Sequence, residues 1–411
     1  MIAFMKKIIV GAALAAISLS SPALADTISV APGEGAQERL QEALIVAQPG
    51  DTVELGAGRF VLTDGLSLDV DGVTVKGAGQ DASVLDFTGQ LAAGEGLLVT
   101  SDNVTLRDFA VENTRGDGIK SKGADNIVYA RVRVEWTGGP KETNGAYGVY
   151  PVESVGVLID GVTVKGASDA GIYVGQSKQI VVRNSVAMFN VAGIEIENSR
   201  EARVTGNYVS RNTGGILVFD LPNLPNLVNA GGFGGNVRVD HNLIIANDTP
   251  NFAPKGNIVA SVRKGTGVMV MANENVEVAD NVIADNGTAG VLVVAYPLSF
   301  GDAKYNPYPR NVRIGDGNSF VRNGRDPQYE GGAQMAAAFG GALPPVVWDG
   351  LGNNALAAPG DVAVLSLGLP AQGADVTQAH PVPLSDVGKT MTLAPLAPVT
   401  LPEAIEVRAR Q

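Results

Sequence analysis

The chain of 411 residues has no cysteine, two histidines and few aromatic residues, which make up 5% of it. The absence of cysteine excludes disulfides, thiolate metal sites and cysteine nucleophiles. His241 and His380 are too few for a histidine-rich metal site. No apolar run after the amino terminus is long enough to span a membrane. Glycine, in contrast, is abundant at 52 residues and indicates many tight turns.

Residues 1–25 have the pattern of a secretory signal peptide. Lys6 and Lys7 precede a short apolar run, and Ala23-Leu24-Ala25 fits a small-x-small cleavage site. We therefore predict a periplasmic or secreted protein with a cleaved signal peptide, mature from Asp26. The mature chain has 28 basic against 42 acidic residues, a formal charge of −14. So acidic a surface disfavours nucleic acid and anionic membranes, and we expect no nucleic-acid binding and no membrane insertion.

A glycine followed by isoleucine, valine or leucine recurs at nearly constant spacing. Most steps are 22 or 23 residues, and two steps, of 30 and 52 residues, contain insertions. The repeat glycines are Gly96, Gly118, Gly148, Gly171, Gly193, Gly215, Gly267 and Gly290. Short runs with period-2 alternation fill each repeat, and no long helical segment separates them. This pattern predicts an all-β solenoid with about 22 residues per coil.

The two ends of the chain differ from the repeats. A helical pattern covers residues 36–47 and predicts a cap over the first open coil. The repeat fades after about residue 325, and the rest is rich in alanine, proline and leucine. We therefore predict a signal peptide over residues 1–25, a β-helix with its amino-terminal cap over 26–325, and a carboxy-terminal cap and extended tail over 326–411.

Several repeat segments resemble known proteins: residues 144–148, 166–177, 191–198, 212–222 and 251–254. The chain is similar to secreted bacterial parallel β-helix repeat-containing proteins of the pectate-lyase-like superfamily. That resemblance implies a single-stranded right-handed parallel β-helix. Proteins of this fold include polysaccharide lyases, mannuronan epimerases, glycoside hydrolases, phage tailspikes and a periplasmic copper-accessory protein. The fold by itself does not choose among these activities.

One stripe of side chains is predicted to point outward, at two and four residues after each repeat glycine. It presents Lys120, Tyr150, Tyr173 and Glu195 in successive coils and then becomes apolar. Insertions on one side of a solenoid are typical of a binding side, and they wall this stripe. We expect a groove for an extended carbohydrate. Its predicted substrate-binding residues are Lys122, Trp136, Lys141, Tyr147, Gln176, Asn198 and Phe219. The segment around Trp136 could equally serve loop packing.

The favoured function is binding and modification of an acidic polysaccharide by a lyase or C5-epimerase-like reaction. The chemistry needs a cation for the uronate carboxylate and groups that exchange protons at C5. We predict Lys120, Tyr150, Tyr173 and Glu195 as catalytic residues. Calcium is a possible cofactor, since it prefers oxygen ligands such as Asp169, Glu197 and Asp220.

Other interpretations stay open at this point. Glu195 and Glu197, two residues apart on one strand face, could hydrolyse a glycoside, although a solvated pair or a calcium site is the simpler interpretation. Met269 and Met271 could bind copper(I) or pack beneath the insertion at residues 249–264. The alternative function is a non-catalytic scaffold for a glycan or protein, or a periplasmic accessory protein for metal or electron-transfer chemistry, which could have a periplasmic protein partner. We expect a monomer.

Overall fold

The computed structural model of the protein describes residues 25–92, 94–224, 231–353, 355–384 and 395–411. Residues 1–24 of the predicted signal peptide lie outside this part. The described chain winds through three long sheets, and nearly all strand pairs are parallel. Each turn of the chain adds one strand to each sheet, so the molecule is a parallel β-helix. The all-β fold class predicted from the repeat is confirmed.

The three sheets contain 12, 10 and 12 strands within the described ranges. The first sheet contains Thr27–Val30, Thr52–Leu55, Thr74–Gly77, Thr105–Arg107, Ile127–Ala130, Val155–Asp160, Lys178–Arg183, Arg200–Thr205, Gly235–Asp240, Glu274–Ala279, Arg310–Ile314 and Leu356–Ala357. The second contains Gly58–Val61, Ser83–Asp86, Ala110–Glu112, Arg133–Glu135, Thr163–Lys165, Val186–Met188, Tyr208–Ser210, Leu243–Ile245, Val282–Ala284 and Ser319–Val321. The third contains Leu66–Leu68, Leu97–Val99, Ile119–Lys122, Tyr147–Val152, Ala170–Gly175, Ala192–Glu197, Gly214–Phe219, Thr266–Met271, Ala289–Val294, Val346–Trp348, Val364–Ser366 and Val382–Leu384.

Helices are few and lie outside the coils. The described chain has α-helices at Ala36–Val46, Gly332–Ala338 and Glu403–Arg410, and 3-10 turns at Ile258–Ser261 and Val376–Gln378. The first helix buries Leu40 and Leu44 against the first coils, as predicted for a cap. Within the described ranges, no helix is both long and apolar enough to cross a membrane.

The interior of the coils is an apolar column. In the third sheet Ile172 pairs with Ile194, Ile194 with Ile216, and Ile216 with Val268, so the residue after each repeat glycine stacks on its equivalent. These side chains are fully buried in one continuous core. The inward direction predicted for this position is confirmed, because successive side chains of a strand point to opposite faces.

Asparagine ladders hold the corners of successive coils together. Asn212 donates through Nδ2 to Asn247, which donates to Asn286, each over 3.0 Å. The same Oδ1 atoms also accept backbone N–H groups of the preceding coil. A second ladder runs through Asn207, Asn242 and Asn281. The ladders satisfy backbone groups that face no water.

Parallel pairing continues beyond residue 325, where the repeat fades in the sequence. Val346–Trp348 extends the third sheet on Ala289–Val294, and Val364–Ser366 pairs with it in turn. These strands lack the glycine spacing of the earlier coils, which is why the pattern does not reveal them. The last helix packs Ile405 and Ala409 on the outer face of the first sheet. The tail therefore covers one side of the coils.

The outer face of the third sheet is also covered. Residues 252–262 and parts of the chain after residue 296 pack on it and form a second apolar cluster. Tyr173 is 3% exposed and Leu217 is fully buried, although both point away from the coil interior. The open groove predicted along this stripe is therefore wrong over its apolar half. The covering segments lie too far along the chain for strand periodicity to reveal them.

Candidate functional site

Three tyrosines from two neighbouring coils meet on the outer face of the third sheet. The ring centroids of Tyr147 and Tyr173 are 4.5 Å apart, those of Tyr147 and Tyr150 4.6 Å, and those of Tyr150 and Tyr173 4.8 Å. The separation of Tyr150 and Tyr173 matches the spacing of adjacent strands, about 4.8 Å, because these two residues hold the same position in neighbouring coils, whereas Tyr147 and Tyr150 share one strand. Tyr147 and Tyr150 are half-buried, whereas Tyr173 lies beneath them. The cluster thus has a solvent side and a buried side.

Lys120 lies at the solvent side, one coil before the tyrosines. Its strand position pairs directly with Tyr150, and its Nζ lies 4.8 Å from the centroid of the Tyr150 ring. The ammonium group also pairs with Glu95 at 3.1 Å and with Asp117 at 3.8 Å. The side chain is 23% exposed. Lys120 is therefore held in place by two carboxylates and one aromatic face, and part of it faces solvent.

Acidic side chains lie at the buried side. The Tyr147 hydroxyl lies near Asp169 and the Tyr173 hydroxyl lies near Glu197, and each hydroxyl favours the ionised form of its acid. Glu195 follows on the next coil, paired with Tyr173, and is 1% exposed. Its Oε1 atom has no hydrogen-bond partner. The interpretation of Glu195 and Glu197 as a solvated pair is therefore wrong, because both carboxyl groups are covered.

Burial raises the pKa of each of these acids. It raises the pKa of Asp169 to about 7, although a hydrogen bond from Asn257 favours the ionised form. It raises the pKa of Glu197 to about 8, against the opposing effect of the nearby Tyr173 hydroxyl. The pKa of Glu195 is also raised, first by burial and then by repulsion from Asp169 and Glu197. Nearer solvent, burial raises the pKa of Asp117 to about 6. Near neutral pH the cluster therefore carries far less charge than its acid count implies.

The segment at residues 249–264 packs against one end of the cluster. The Asn257 side-chain amide lies 3.4 Å from Asp169, 88 residues earlier in the chain. Ile258, Val259 and Val262 of the same segment pack in the apolar cluster that contains Met269 and Met271. Both methionines are buried there, as the packing interpretation predicts. The copper hypothesis gains nothing from this arrangement.

Several predicted substrate-binding residues occupy other places. The Trp136 ring packs in the coil core, and its Nε1 donates to the Thr114 carbonyl over 2.7 Å, so Trp136 is no sugar platform. Asn198 is fully buried, and its amide is used by both backbone groups of Leu221. Phe219 is buried beneath the covering segments. These three predictions are wrong because polar and aromatic side chains at coil corners are used in packing.

The remaining predicted binding residues lie nearer the surface. Lys122 and Lys141 are exposed, Tyr147 belongs to the tyrosine cluster, and Gln176 is 9% exposed at a corner with φ of 50°. Glu95, Asp117 and Asn257 join the cluster although sequence reasoning missed them. Asp117 lies one residue before a repeat glycine, as Tyr147 and Ala170 do, and this shared position is the signal that could have indicated it.

The carboxylates proposed for calcium do not form one site. Asp220 lies apart from Asp169, with its Oδ1 bound by the Gly234 amide and by Asn273, each at 3.0 Å. Burial raises the pKa of Asp220 to about 7. In the part of the chain that the structure describes, no three His, Asp or Glu side chains group so as to hold a metal ion. Asp169, Glu197 and Asp220 therefore do not fit a shared calcium site.

The chain is similar in fold to several known proteins. Residues 71–230 match a family model described as a right handed beta helix region, which confirms the predicted resemblance and the handedness. The A-module of a mannuronan C-5 epimerase from Azotobacter vinelandii is similar in structure, with 16% identity, a TM-score of 0.52, and coverage of 79% of this chain and 90% of that one. An N-terminal fragment of bacteriophage Phi29 gene product 12 has 13% identity, a TM-score of 0.50, and coverage of 80% and 61%.

A third solved structure, an alginate lyase, has 15% identity, a TM-score of 0.43, and coverage of 76% of this chain and 75% of its own. A comparison with curated protein sequences found no match. At these identities the similarity is one of fold. The right-handed parallel β-helix fold is therefore established for this chain, and its chemistry has to be argued from its own residues.

Proposed function

We propose that this protein is an exported enzyme that exchanges or removes the C5 proton of a uronate residue in an acidic polysaccharide, as a lyase or an epimerase. One observation carries the proposal. One cluster brings together Lys120, the three tyrosines and the buried acids, which come from successive coils. Lys120 lies at its solvent side and the acids lie at its buried side. Ordinary surface residues of an acidic protein would not share hydrogen bonds and ring contacts in this way.

The solvent side of the cluster suits an anionic sugar. Lys120 supplies a positive charge for the uronate carboxylate, and the faces of Tyr147 and Tyr150 suit the apolar surface of a sugar ring. Glu95 and Asp117 compete for the same ammonium group. Protonation of Asp117, whose pKa is raised to about 6, reduces this competition as the pH falls. A cation held beside a carboxylate acidifies the neighbouring C–H bond, which is the requirement for removing the C5 proton.

The buried side supplies a base whose pKa matches the working pH. Asp169 fits this role, because burial raises its pKa to about 7 and because the Asn257 amide hydrogen-bonds its carboxylate while the nearby Tyr147 hydroxyl also favours the ionised form. Efficient general bases have a pKa near the operating pH. Glu197, with a pKa of about 8, stays protonated while Asp169 ionises. The Tyr150 hydroxyl, whose pKa is raised by burial and by nearby carboxylates, stays protonated and is the proton donor on the opposite side.

The fold shared with a mannuronan epimerase is compatible with this reaction, but the assignment depends on the cluster. The proposed steps use only side chains of this protein, because the predicted carboxylate ligands of calcium do not lie together. We also propose, from Lys6, Lys7 and the small-x-small site, that the protein acts in the periplasm or outside the cell. Amino-terminal sequencing of the exported protein tests this location, and a mature chain that begins at Asp26 is the expected result.

The decisive experiment is incubation of the purified protein with polymannuronate, polyguluronate and polygalacturonate in deuterium oxide. Epimerisation brings deuterium to C5, whereas elimination produces an unsaturated uronate that absorbs in the ultraviolet. The assay is run with a chelator and again with added calcium, which tests the cofactor at the same time. Lys120→Met and Asp169→Asn are expected to lower kcat/KM by at least about a hundredfold, the usual scale for a catalytic proton transfer or charge contact.

Matched variants separate a chemical effect from a structural one. Lys76→Met removes an exposed lysine from the first sheet, and Tyr208→Phe changes an exposed tyrosine of the second sheet. Both should keep full activity. Absence of deuterium and of unsaturated product on every uronate polymer, with and without calcium, would overturn the proposal.

A non-catalytic glycan-binding role is the second candidate. The low exposure of Asp169 and Glu197, 7% each, favours it, because a substrate must reach a base directly. Polysaccharide binding that depends on Tyr147 and Tyr150, with neither deuterium at C5 nor unsaturated product, would support this role over the enzyme.

A further inference from the structure

A separate apolar cavity lies beyond the acidic end of the cluster. Its volume is about 270 Å³, close to the lower end of small-molecule sites, roughly 300 Å³. The floor is the outer face of the third sheet, with Leu217, Phe219, Met269 and Met271. Residues 258–263 form one wall and residues 367–376 another, so the cavity exists only because the covering segments do not fill the space between them.

Two polar atoms of its lining residues have no partner. The Oε1 atom of Glu195 and the hydroxyl oxygen of Tyr329 are buried without a hydrogen bond, and both residues line the cavity. Glu195 as a whole is 1% exposed. An unpaired buried polar atom destabilises the folded state, and a fold keeps few of them. Two such atoms at one apolar cavity indicate hydrogen bonds that a bound molecule completes.

The cavity also reaches the surface. Ser261, Arg263, Pro297 and Gly373 line it and are exposed, so a small molecule has an entry beside them. Arg263 lies over the ring of Tyr329 at 4.9 Å and faces solvent. The bottom is apolar and Glu195 adjoins the other acids, which disfavours a negatively charged ligand. The chemistry therefore selects an uncharged molecule with an apolar body.

We propose that this cavity binds a small, uncharged, mainly apolar molecule whose hydroxyl or carbonyl oxygen hydrogen-bonds Glu195 and Tyr329. Leu217, Met269 and Met271 contact its apolar body. The two methionines suit this role, since unbranched thioether side chains adapt to the shape of a ligand. This site is distinct from the uronate site, because Lys120, Tyr147 and Tyr150 do not line it. The proposal holds whether or not the protein acts on a polysaccharide.

Calorimetric titration of the whole protein with 1-octanol tests the proposal, with octanoate as the charged probe of equal chain length. Saturable binding of 1-octanol is expected at neutral pH, with octanoate at least about tenfold weaker because its carboxylate would be buried beside acids. Met269→Trp, which fills the cavity, should abolish binding. Absence of 1-octanol binding to the unaltered protein would overturn the proposal, and so would unchanged binding by a folded Met269→Trp variant.

Milder variants keep the test valid if the filled variant fails to fold. Tyr329→Phe removes one hydroxyl and should weaken 1-octanol binding about tenfold, the scale of one lost hydrogen bond. Tyr208→Phe, at an exposed tyrosine far from the cavity lining, is the matched control and should bind normally. Lys120→Met should also bind 1-octanol normally while it loses uronate activity, so failure of one proposal is distinguishable from failure of the other. Equal affinities of Tyr329→Phe and Tyr208→Phe would contradict the assigned contact.

Discussion

The ring of Tyr173 lies across Gly175, two residues further along the same strand. A β-carbon at residue 175 would stand 2.5 Å from Cε1 and 2.7 Å from Cζ of that ring. Because Gly175 has no side chain, the Tyr173 ring can pack beneath Tyr147 and Tyr150. The position of a glycine in this repeat thus decides the geometry of the tyrosine cluster.

Replacing Gly175 by alanine should displace Tyr173 and loosen the cluster. Overpacking of a buried position costs about 1–3 kcal/mol, and we expect the free energy of unfolding to fall by that amount. Denaturant unfolding followed by circular dichroism measures it. Gly301→Ala is the control, because a β-carbon there meets no atom within 4 Å. Equal stability of the two variants would show that the ring has room to move.

The stability of the protein should fall as the pH rises from about 4.5 to about 8. Glu197 titrates near 4.5 when unfolded and near 8 when folded, so over this range the folded state holds the proton that the unfolded state releases. The stabilisation from its neutral form is complete below the unfolded pKa and is lost as the pH passes the folded pKa. Urea unfolding across this range measures the slope. Glu197→Gln should flatten it, and an unchanged slope would place the titration elsewhere.

Enzymatic activity should follow a bell-shaped pH profile. Asp169 must be ionised, with a pKa of about 7, while Glu197 with a pKa of about 8 stays protonated. The maximum of kcat is therefore expected between these values, and Glu197→Gln should remove the descending limb. Because the two acids interact, the profile reports the pair. An activity that rises monotonically to high pH would contradict the assignment of Asp169 as the base.

Substitution of an asparagine in the middle of the ladder should lower the stability of the protein. Asn247 is fully buried, accepts from Asn212 and donates to Asn286. Asn247→Ala removes the oxygen that accepts the backbone N–H of Asn212, while Asn286 keeps the backbone N–H of residue 247. A buried group left unpaired costs about 1–3 kcal/mol. A clear decrease in the midpoint of thermal unfolding is expected. The exposed Asn353→Ala variant should unfold like the parent protein, and equal midpoints for both variants would show that the ladder adds no stability.

The last helix should contribute to stability through one face. Ile405 is 2% exposed and packs on Leu158 and Val181 of the first sheet, while Arg183 binds both carboxylate oxygens of Glu406 at 2.7–2.9 Å. Ile405→Ala should lower the free energy of unfolding by about 2–4 kcal/mol through the cavity that it leaves. Val407→Ala, at a position 36% exposed on the same helix, should change it by less than about 1 kcal/mol. Similar losses would indicate that helix propensity, and not packing, is measured.

The candidate site was only partly predictable from the sequence. Lys120, Tyr150, Tyr173 and Glu195 could be placed on one stripe, because their distances from the repeat glycines are fixed. Their burial could not be predicted in this way. Asn257 reaches Asp169 from 88 residues away, and such a contact has no periodic signal. Trp136 and Asn198 were misassigned for a related reason, since their partners at coil corners follow from backbone geometry that the residue types do not reveal.

The sequence by itself determined the period of the coils, the apolar column inside them and the direction of each strand side chain. These properties depend on local geometry, because alternation along a strand and the spacing of glycine turns are decided within one repeat. Only the tertiary structure decided which outward side chains meet solvent. Residues 249–264 and parts of the described chain after residue 296 cover the third sheet, and this burial raises the pKa of Glu195 and Glu197. Desolvation depends on all the atoms around a group, including those brought from distant parts of the chain.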